Sequence, residues 1–422
     1  MYPFQSGVKK ASIASWRCAG CVALLIAGSW GCDDELSYSR VSTGDVPSAA
    51  CADGVQRAAC PDSHPAPGPV GPTNNAVTPD VDPVPGDEVP GTDATTPPPC
   101  ERNERVLVEL GHVGLEAPEG GAIFDVDVKE DRAWVTHERG VRVVDVADPT
   151  RPVLLGATDP PIFNAHGLAI SNDKANRLGF LAVVGDGLRV IELNDDSAPV
   201  EIGAYDLVGA AGAEYANDVV LVGDVAYVAA LAQGLWLIDG ANARHPAPLG
   251  HCCVNPSAHP LAGPSDVDVV GELAVLADTE VGLRLIDIAD PRRPVELASL
   301  PLAGPGRAIR ARGGRAYVAL DDAGLAIVDI THPASPTQLA TLELPGRAIE
   351  LELADGLVFV AAAEGGLLVV DPEAAEPVGA RYPAAGPTAE TSVSAVQVVG
   401  DRVYLADGEA LHILTYTCPQ TP

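Results

Sequence analysis

Aromatic side chains are scarce in this chain: 5 Phe, 9 Tyr and 4 Trp among 422 residues, with a single Met. A large core must therefore rest on Val, Leu, Ile and Ala, and a hydrophobic fraction of 47% supplies it. Basic residues are also few, 26 Lys and Arg against 58 Asp and Glu, for a net charge of −32. That balance excludes the basic footprint that nucleic acid requires and leaves no polybasic membrane patch. It suits a protein that stays soluble after export. Catalytic signatures are missing too: there is no Gly-x-Ser-x-Gly, no HExxH, no phosphate-cradling glycine loop and no EF-hand loop.

What is present is repetition. Gly282-Leu-Arg-Leu-Ile-Asp-Ile288 is followed by Asp290-Pro291, and Gly324-Leu-Ala-Ile-Val-Asp-Ile330 by His332-Pro333. Related copies start at Gly140, Gly187, Gly234 and Gly366, so successive glycines lie 47, 47, 48, 42 and 42 residues apart. A period of that length marks an array of one supersecondary unit. Each copy holds four short β-branched runs, such as 266–270, 273–277, 282–286 and 295–299, broken by Gly, Asp or Pro. Runs this short are strands, because a helix needs a longer stretch with a 3.6 period. Gly-Asp and Gly-Glu pairs (Gly223-Asp224, Gly271-Glu272, Gly400-Asp401) supply tight hairpins between the first two runs. The fold class expected is all-β, a seven-bladed propeller of four-stranded blades; a parallel β-helix would repeat at a much shorter period.

Seven inner strands are expected to begin near Phe124, His166, Asn217, Ser265, Arg307, Arg347 and Ser394. The last copy has only three runs, 395–399, 403–405 and 411–416. Its fourth appears at the front of the domain as Arg105-Val-Leu-Val-Glu-Leu110, which matches fourth strands such as Pro199-Val-Glu-Ile-Gly203. Pairing the two ends closes the ring without an open edge. Cys100 precedes that closing strand and Cys418 follows the last one, so a Cys100–Cys418 disulfide across the seam is expected.

The Gly-Leu-x-Ile/Val-Val/Ile-Asp motif resembles the LVIVD repeat of bacterial and archaeal surface proteins, over roughly residues 121–415. The resemblance implies an architecture and no common activity. Blade two departs from it with Glu192 in place of Asp, and blade seven lacks both the Gly and the Asp.

Residues 1–32 are expected to be a signal peptide: Lys9, Lys10 and Arg17, then an apolar stretch from Cys18 to Gly28 that is too short to span a bilayer. Gly31-Cys32 suits lipoprotein processing with Cys32 acylated, although Ser29 and Trp30 fit that pattern poorly, and ordinary secretion or no export are the alternatives. Residues 33–100 are expected to be a disordered linker. Thirteen prolines and eleven acidic residues fall between 33 and 99, against only Arg40 and Arg57. Such a composition cannot offset the entropy of ordering. Its span as a coil would be on the order of 45 Å. The propeller then occupies 101–418. Cys51 and Cys60 bracket a short loop in the linker, in an oxidising compartment if export holds.

Two clusters are candidates for chemistry. His245, His251, Cys252, Cys253 and His259 lie within fifteen residues and are donors of the zinc and copper type, though at no standard spacing. A vicinal disulfide or two free thiols is the alternative. Asp125, His166, Asn217, Asp218 and Asp266 fall where inner strands begin, the place where propeller lactonases and metal-dependent esterases assemble their sites. Equally, polar residues there can cap turns and line a wet channel. Arg307 and Arg347 are expected to share one register in adjacent blades, a candidate clamp for an anionic group unless loop acids such as Asp321, Asp322 or Glu364 neutralise them. Arg310, between Asp268 and Glu350, reads as structural. The expected function is a lipid-anchored surface module that binds a protein or a glycan, with no cofactor, no nucleic acid and no catalysis. The alternative is an extracytoplasmic propeller hydrolase with a metal at the channel mouth.

Overall fold

The structure, a computed structural model, describes residues 105–418 apart from 116–121, 174–175, 208–214, 256–258, 260, 375 and 383–391. The expected signal peptide, the linker, Cys32, Cys51, Cys60 and Cys100 lie outside the described residues.

Seven antiparallel sheets of four strands follow one another around a ring, each ordered from the inner strand outward. The inner strands are Ile123–Lys129, Ala165–Ile170, Asp218–Val222, Pro264–Val270, Ala308–Arg312, Glu350–Ala354 and Ala395–Val399. Seven apolar clusters fill the seven spaces between neighbouring blades. They are mostly aliphatic; Trp134, Phe180 and Phe359 are the most deeply buried large aromatics among the described residues. Inner and middle strands are covered on both faces by neighbouring blades, which is why they read as near-continuous Val, Leu, Ile and Ala rather than as a clean alternation.

The ring closes as the missing fourth run requires. Val106–Gly114 pairs antiparallel with Ala410–Thr417, from Val106 opposite Thr417 to Gly114 opposite Ala410. The seam strand thus extends four residues past Leu110, the end of the run that suggested it. Its register shifts between Glu109 and Gly111, with Leu110 as the bulged residue. The same bulge recurs in other outer strands, at Leu155, Ile202, Leu249, Leu297 and Leu339. The small residue after it has a steric cause. A Cβ on Gly203 would lie 1.9 Å from the Ala243 carbonyl oxygen of the next blade, and one on Gly111 would lie 2.7 Å from that of Pro149. Each Leu-Gly or Ile-Gly pair therefore lets an outer strand dock on the turn that ends the next blade's third strand.

The repeat's Asp has an equally local role. Asp145, Asp239, Asp287, Asp329 and Asp371 each accept a hydrogen bond from the backbone N–H two residues on, closing the turn into the fourth strand. In blade two the longer Glu192 instead accepts from the Asn194 amide at 3.2 Å.

Candidate functional site

The inner strand is the edge strand of its blade, so its channel-facing N–H groups have no ladder partner. The chain satisfies many of them with side chains from the preceding blade. Asp125 accepts from the Leu168 N–H at 2.9 Å and Asp127 from Ile170 at 2.9 Å. Asp218 accepts from Val267 at 3.3 Å, Asp266 from Ile309 at 2.6 Å and Asp268 from Ala311 at 2.8 Å. Gln397 accepts from Val128 at 2.5 Å, crossing from blade seven to blade one. These form two carboxylate-rich belts around the channel, and they join blades as hydrogen-bonded staples.

The register differs from the sequence expectation in blade six. Arg307 and Ile349, not Arg347, donate their N–H groups to the equivalent carbonyls of Ala319 and Ala361. Asp268, Arg310 and Glu352, not Glu350, sit opposite the equivalent middle-strand residues Val275, Tyr317 and Phe359. Arg310 is indeed held by acids, but by the belt above it: Asp266 at 3.0 Å and Glu350 at 3.1 Å, with Glu352 at 3.7 Å.

So many acids around one arginine shift their titration. Burial pushes Asp125 up to about 6. Burial, only partly offset by Arg310, pushes Glu350 up to about 8. Burial and the facing Asp266 carboxyl hold Asp218 well above the ordinary carboxylate range. The channel thus keeps part of its acid in the neutral form near pH 7.

The mouth is a second ring, built from residues that start the inner strands. The Phe124 and His166 rings stack at 4.0 Å. His166 Nδ1 lies 3.2 Å from Asn217 Oδ1, and Asn217 donates to the Ser265 carbonyl at 2.7 Å. Ser265 donates to the Gly306 carbonyl at 2.8 Å. Burial lowers His166 to about 4, so this imidazole is neutral at physiological pH. Asp125, Asp218, Asp266 and His166 thus neither converge on one point nor turn away into hairpins. They make contacts between blades: the carboxylates accept from inner-strand N–H groups of the next blade, and His166 meets Phe124 and Asn217.

Arg307 and Arg347 are not an open clamp. Asp321, from the loop between the second and third strands of blade five, accepts from Arg307 Nε at 2.8 Å and lies 3.8 Å from Arg347 Nη1. Glu364 lies 3.6 Å from Arg347 Nε. Two of the loop acids named from the sequence, Asp321 and Glu364, thus neutralise the pair.

The cluster in blade three does not assemble as a ligand set either. Cys252 and Cys253 are joined in a vicinal disulfide and offer no thiolate. The strand ends at Cys252 and Cys253 has φ +64°, so His251 and Cys253 do not share a strand face. His251 stacks on Trp236 at 4.6 Å, His245 closes a turn through its N–H to Asn242, and His259 Nδ1 accepts from the Leu261 N–H at 3.3 Å. Among the described residues, three donors that approach within metal-binding reach lie elsewhere, at the seam: Glu109, His112 and His412.

Around the mouth, the connections from outer strands to the next inner strands expose apolar side chains: Phe163 and Val254 at 56% and Leu261 at 49%. The Arg139 guanidinium sits 6.0 Å from the Phe163 ring centroid.

Sheet order, blade count and closure define a seven-bladed β-propeller. The LVIVD repeat model matches residues 120–159, 213–253, 264–300 and 303–341, which are blades one, three, four and five; the chain is a member of the LVIVD repeat family. No curated protein matches the chain. Among solved structures it is similar to the WD40 β-propeller domain of Doa1, with 12% identity, a TM-score of 0.54 and coverage of 72% of this chain and 97% of that one. It is also similar to the periplasmic gluconolactonase PpgL of Pseudomonas aeruginosa, with 14% identity, a TM-score of 0.51 and coverage of 60% and 83%. At these identities the likeness shows the fold alone.

Proposed function

We propose that the chain is an exported propeller, tethered through a lipid on Cys32, that binds a protein or glycan partner on its mouth face and carries out no catalysis. The observation that supports this reading is a division of labour. The channel acids are committed to joining blades, while the loops around the mouth leave Phe163, Val254 and Leu261 exposed beside Arg139. An apolar and aromatic surface rimmed by polar groups is the usual composition of a recognition patch. A metal-dependent hydrolase would need at least three of the mouth donors to reach one ion, and among the described residues the only such group lies at the seam, so it is placed second.

The test uses the mature protein against a panel of purified cell-envelope glycans and proteins. A partner of this face should lose at least about tenfold in affinity with Phe163→Ser combined with Arg139→Ala, a magnitude ordinary for an anchor residue. A partner whose affinity ignores every substitution on this face would refute the reading. In the producing cell, Cys32→Ser should move the protein from the membrane fraction to the soluble fraction. Retention in the membrane would assign the anchor elsewhere.

A further inference from the structure

We propose that Glu109, His112 and His412 form a binding site for a divalent transition-metal ion of the zinc class, placed across the seam that closes the ring. The site depends on the bulge. Glu109 and His112 are three residues apart and would lie on opposite faces of a regular strand. The extra residue at Leu110 restores their parity, so Glu109 stands opposite Leu414 and His112 opposite His412, all on one face. Glu109 Oε1 then lies 2.9 Å from His112 Nδ1 and 3.0 Å from His412 Nδ1.

The surroundings orient these donors. Asp407 accepts from the Glu409 and Ala410 N–H groups with Oδ1, and its Oδ2 lies 3.1 Å from His412 Nε2. Tyr382 donates its hydroxyl to Glu109 Oε2 at 2.6 Å, which leaves Oε1 facing the two imidazoles. A carboxylate behind a histidine is the arrangement that fixes tautomer and direction in metal sites. Asp407 can only accept, so it orients His412 through Nε2 and turns Nδ1 toward Glu109 Oε1. The donor atoms of Glu109, His112 and His412 all lie within 4.8 Å of one another.

Blade four supplies an internal comparison. There Arg284 occupies the place of His412, held by Asp278 at 2.6 Å and Glu296 at 3.2 Å, with Ser299 opposite it. Asp278 corresponds to Asp407 and Glu296 to Glu109. The same carboxylate pair thus encloses a permanent guanidinium in blade four. In blade seven it encloses one imidazole, with a second in the place of Ser299. Two imidazoles and a carboxylate are a familiar zinc donor set with a fourth position left for water. The His112 side chain is 63% exposed, so an ion can enter from solvent.

The experiment uses the mature, untagged chain after treatment with a chelator. Zinc should bind once per chain at this site. It should raise the melting temperature by about 5 °C at a hundredfold excess over Kd, while Mg2+ should have no effect. Cobalt in its place should give the visible absorption of a low-coordinate nitrogen and oxygen site. His112→Ala removes an exposed ligand and should keep the metal-free melting temperature while abolishing the zinc response. His412→Arg should rebuild the ion pairs of blade four, fold at least as stably as the metal-free protein, and also ignore zinc. If the wild type shows no zinc-dependent shift, or if both variants keep it, His412 is a protonated counterpart of Arg284 and the site does not exist.

Discussion

Replacing residues 101–114 by a Gly-Ser stretch of equal length is expected to lower the melting temperature by more than about 10 °C and to promote self-association. The strand removed runs the full length of the last sheet's outer edge, from Val106 opposite Thr417 to Gly114 opposite Ala410. Leu107 packs into the cluster between blades six and seven and Val113 into that between blades seven and one. Losing eight strand pairs and these contacts should cost on the order of 5 kcal/mol or more. The residues Ala410–Thr417 would become a long unprotected edge, the feature that drives strand-to-strand aggregation. Circular dichroism melting and gel filtration read both effects. A melting temperature within about 2 °C of the parent would mean that the ring does not depend on its seam.

The seam carries a second link. Cys418 is disulfide-bonded, and its partner lies outside the described residues. The order of the chain nominates Cys100. A bond closing some three hundred residues stabilises by on the order of 5 kcal/mol in the chain-entropy account. Non-reducing peptide mapping of exported protein should therefore recover a Cys100–Cys418 pair, and recovery of Cys418 with Cys51 or Cys60 would reassign it.

Arg310→Leu is expected to destabilise the propeller by about 3–5 kcal/mol at pH 8 and by clearly less at pH 5. Arg310 is the cation for Asp266, Glu350 and Glu352, and it also donates to its own neighbour's carbonyl at Ile309. Without it three carboxylates lose their shared countercharge, with Arg312 acting on Glu352 alone. The pH dependence follows from the raised acids. Asp125 is lifted from its ordinary 3.8 to about 6, and Glu350 from 4.5 to about 8. The folded state therefore holds protons that the unfolded chain has released. That stabilisation is complete below about pH 4 and is lost as pH climbs through about 6 and then 8. The wild type should accordingly melt higher at pH 5 than at pH 8.5, an effect moderated by water in the channel, and Arg310→Leu should widen the gap. Equal destabilisation by Arg310→Leu at both pH values would show that the belts ionise independently of Arg310.

The blade count, the closing strand and the residues of the mouth were legible in the sequence because each rests on local pattern. A glycine recurs at a fixed period, a fourth run is missing at one end and present at the other, and Phe124, His166, Asn217 and Ser265 stand immediately before or within the first residues of apolar runs. The bulge was not legible, since it falls before Gly in some outer strands and before Ala298 and Ala340 in others. Blade six shows where that reading stops. The segment Arg347-Ala-Ile-Glu-Leu-Glu-Leu353 alternates, and moving it by two residues leaves every side chain on the same face. A period of two cannot detect a slip of two, so alternation alone sets Arg347 level with Arg307, whereas the hydrogen bond from the Ile349 N–H to the Ala361 carbonyl sets the true register.

Partners far apart in the chain were decided only by the tertiary structure. Of the loop acids near Arg307 and Arg347 in the sequence, the structure selects Asp321, which reaches both arginines, and Glu364, which reaches Arg347. The channel acids, which sequence could read only as a polar lining or a metal site, became staples because they reach inner-strand N–H groups of the next blade as well as those of their own strand. Glu109 and His412 meet across 303 positions of sequence. The sequence by itself determined a closed ring of seven repeats, since hydrophobic periodicity and turn chemistry act over a few residues. Which charges meet inside that ring was decided by closure, because only the closed ring sets the distances between side chains of different blades.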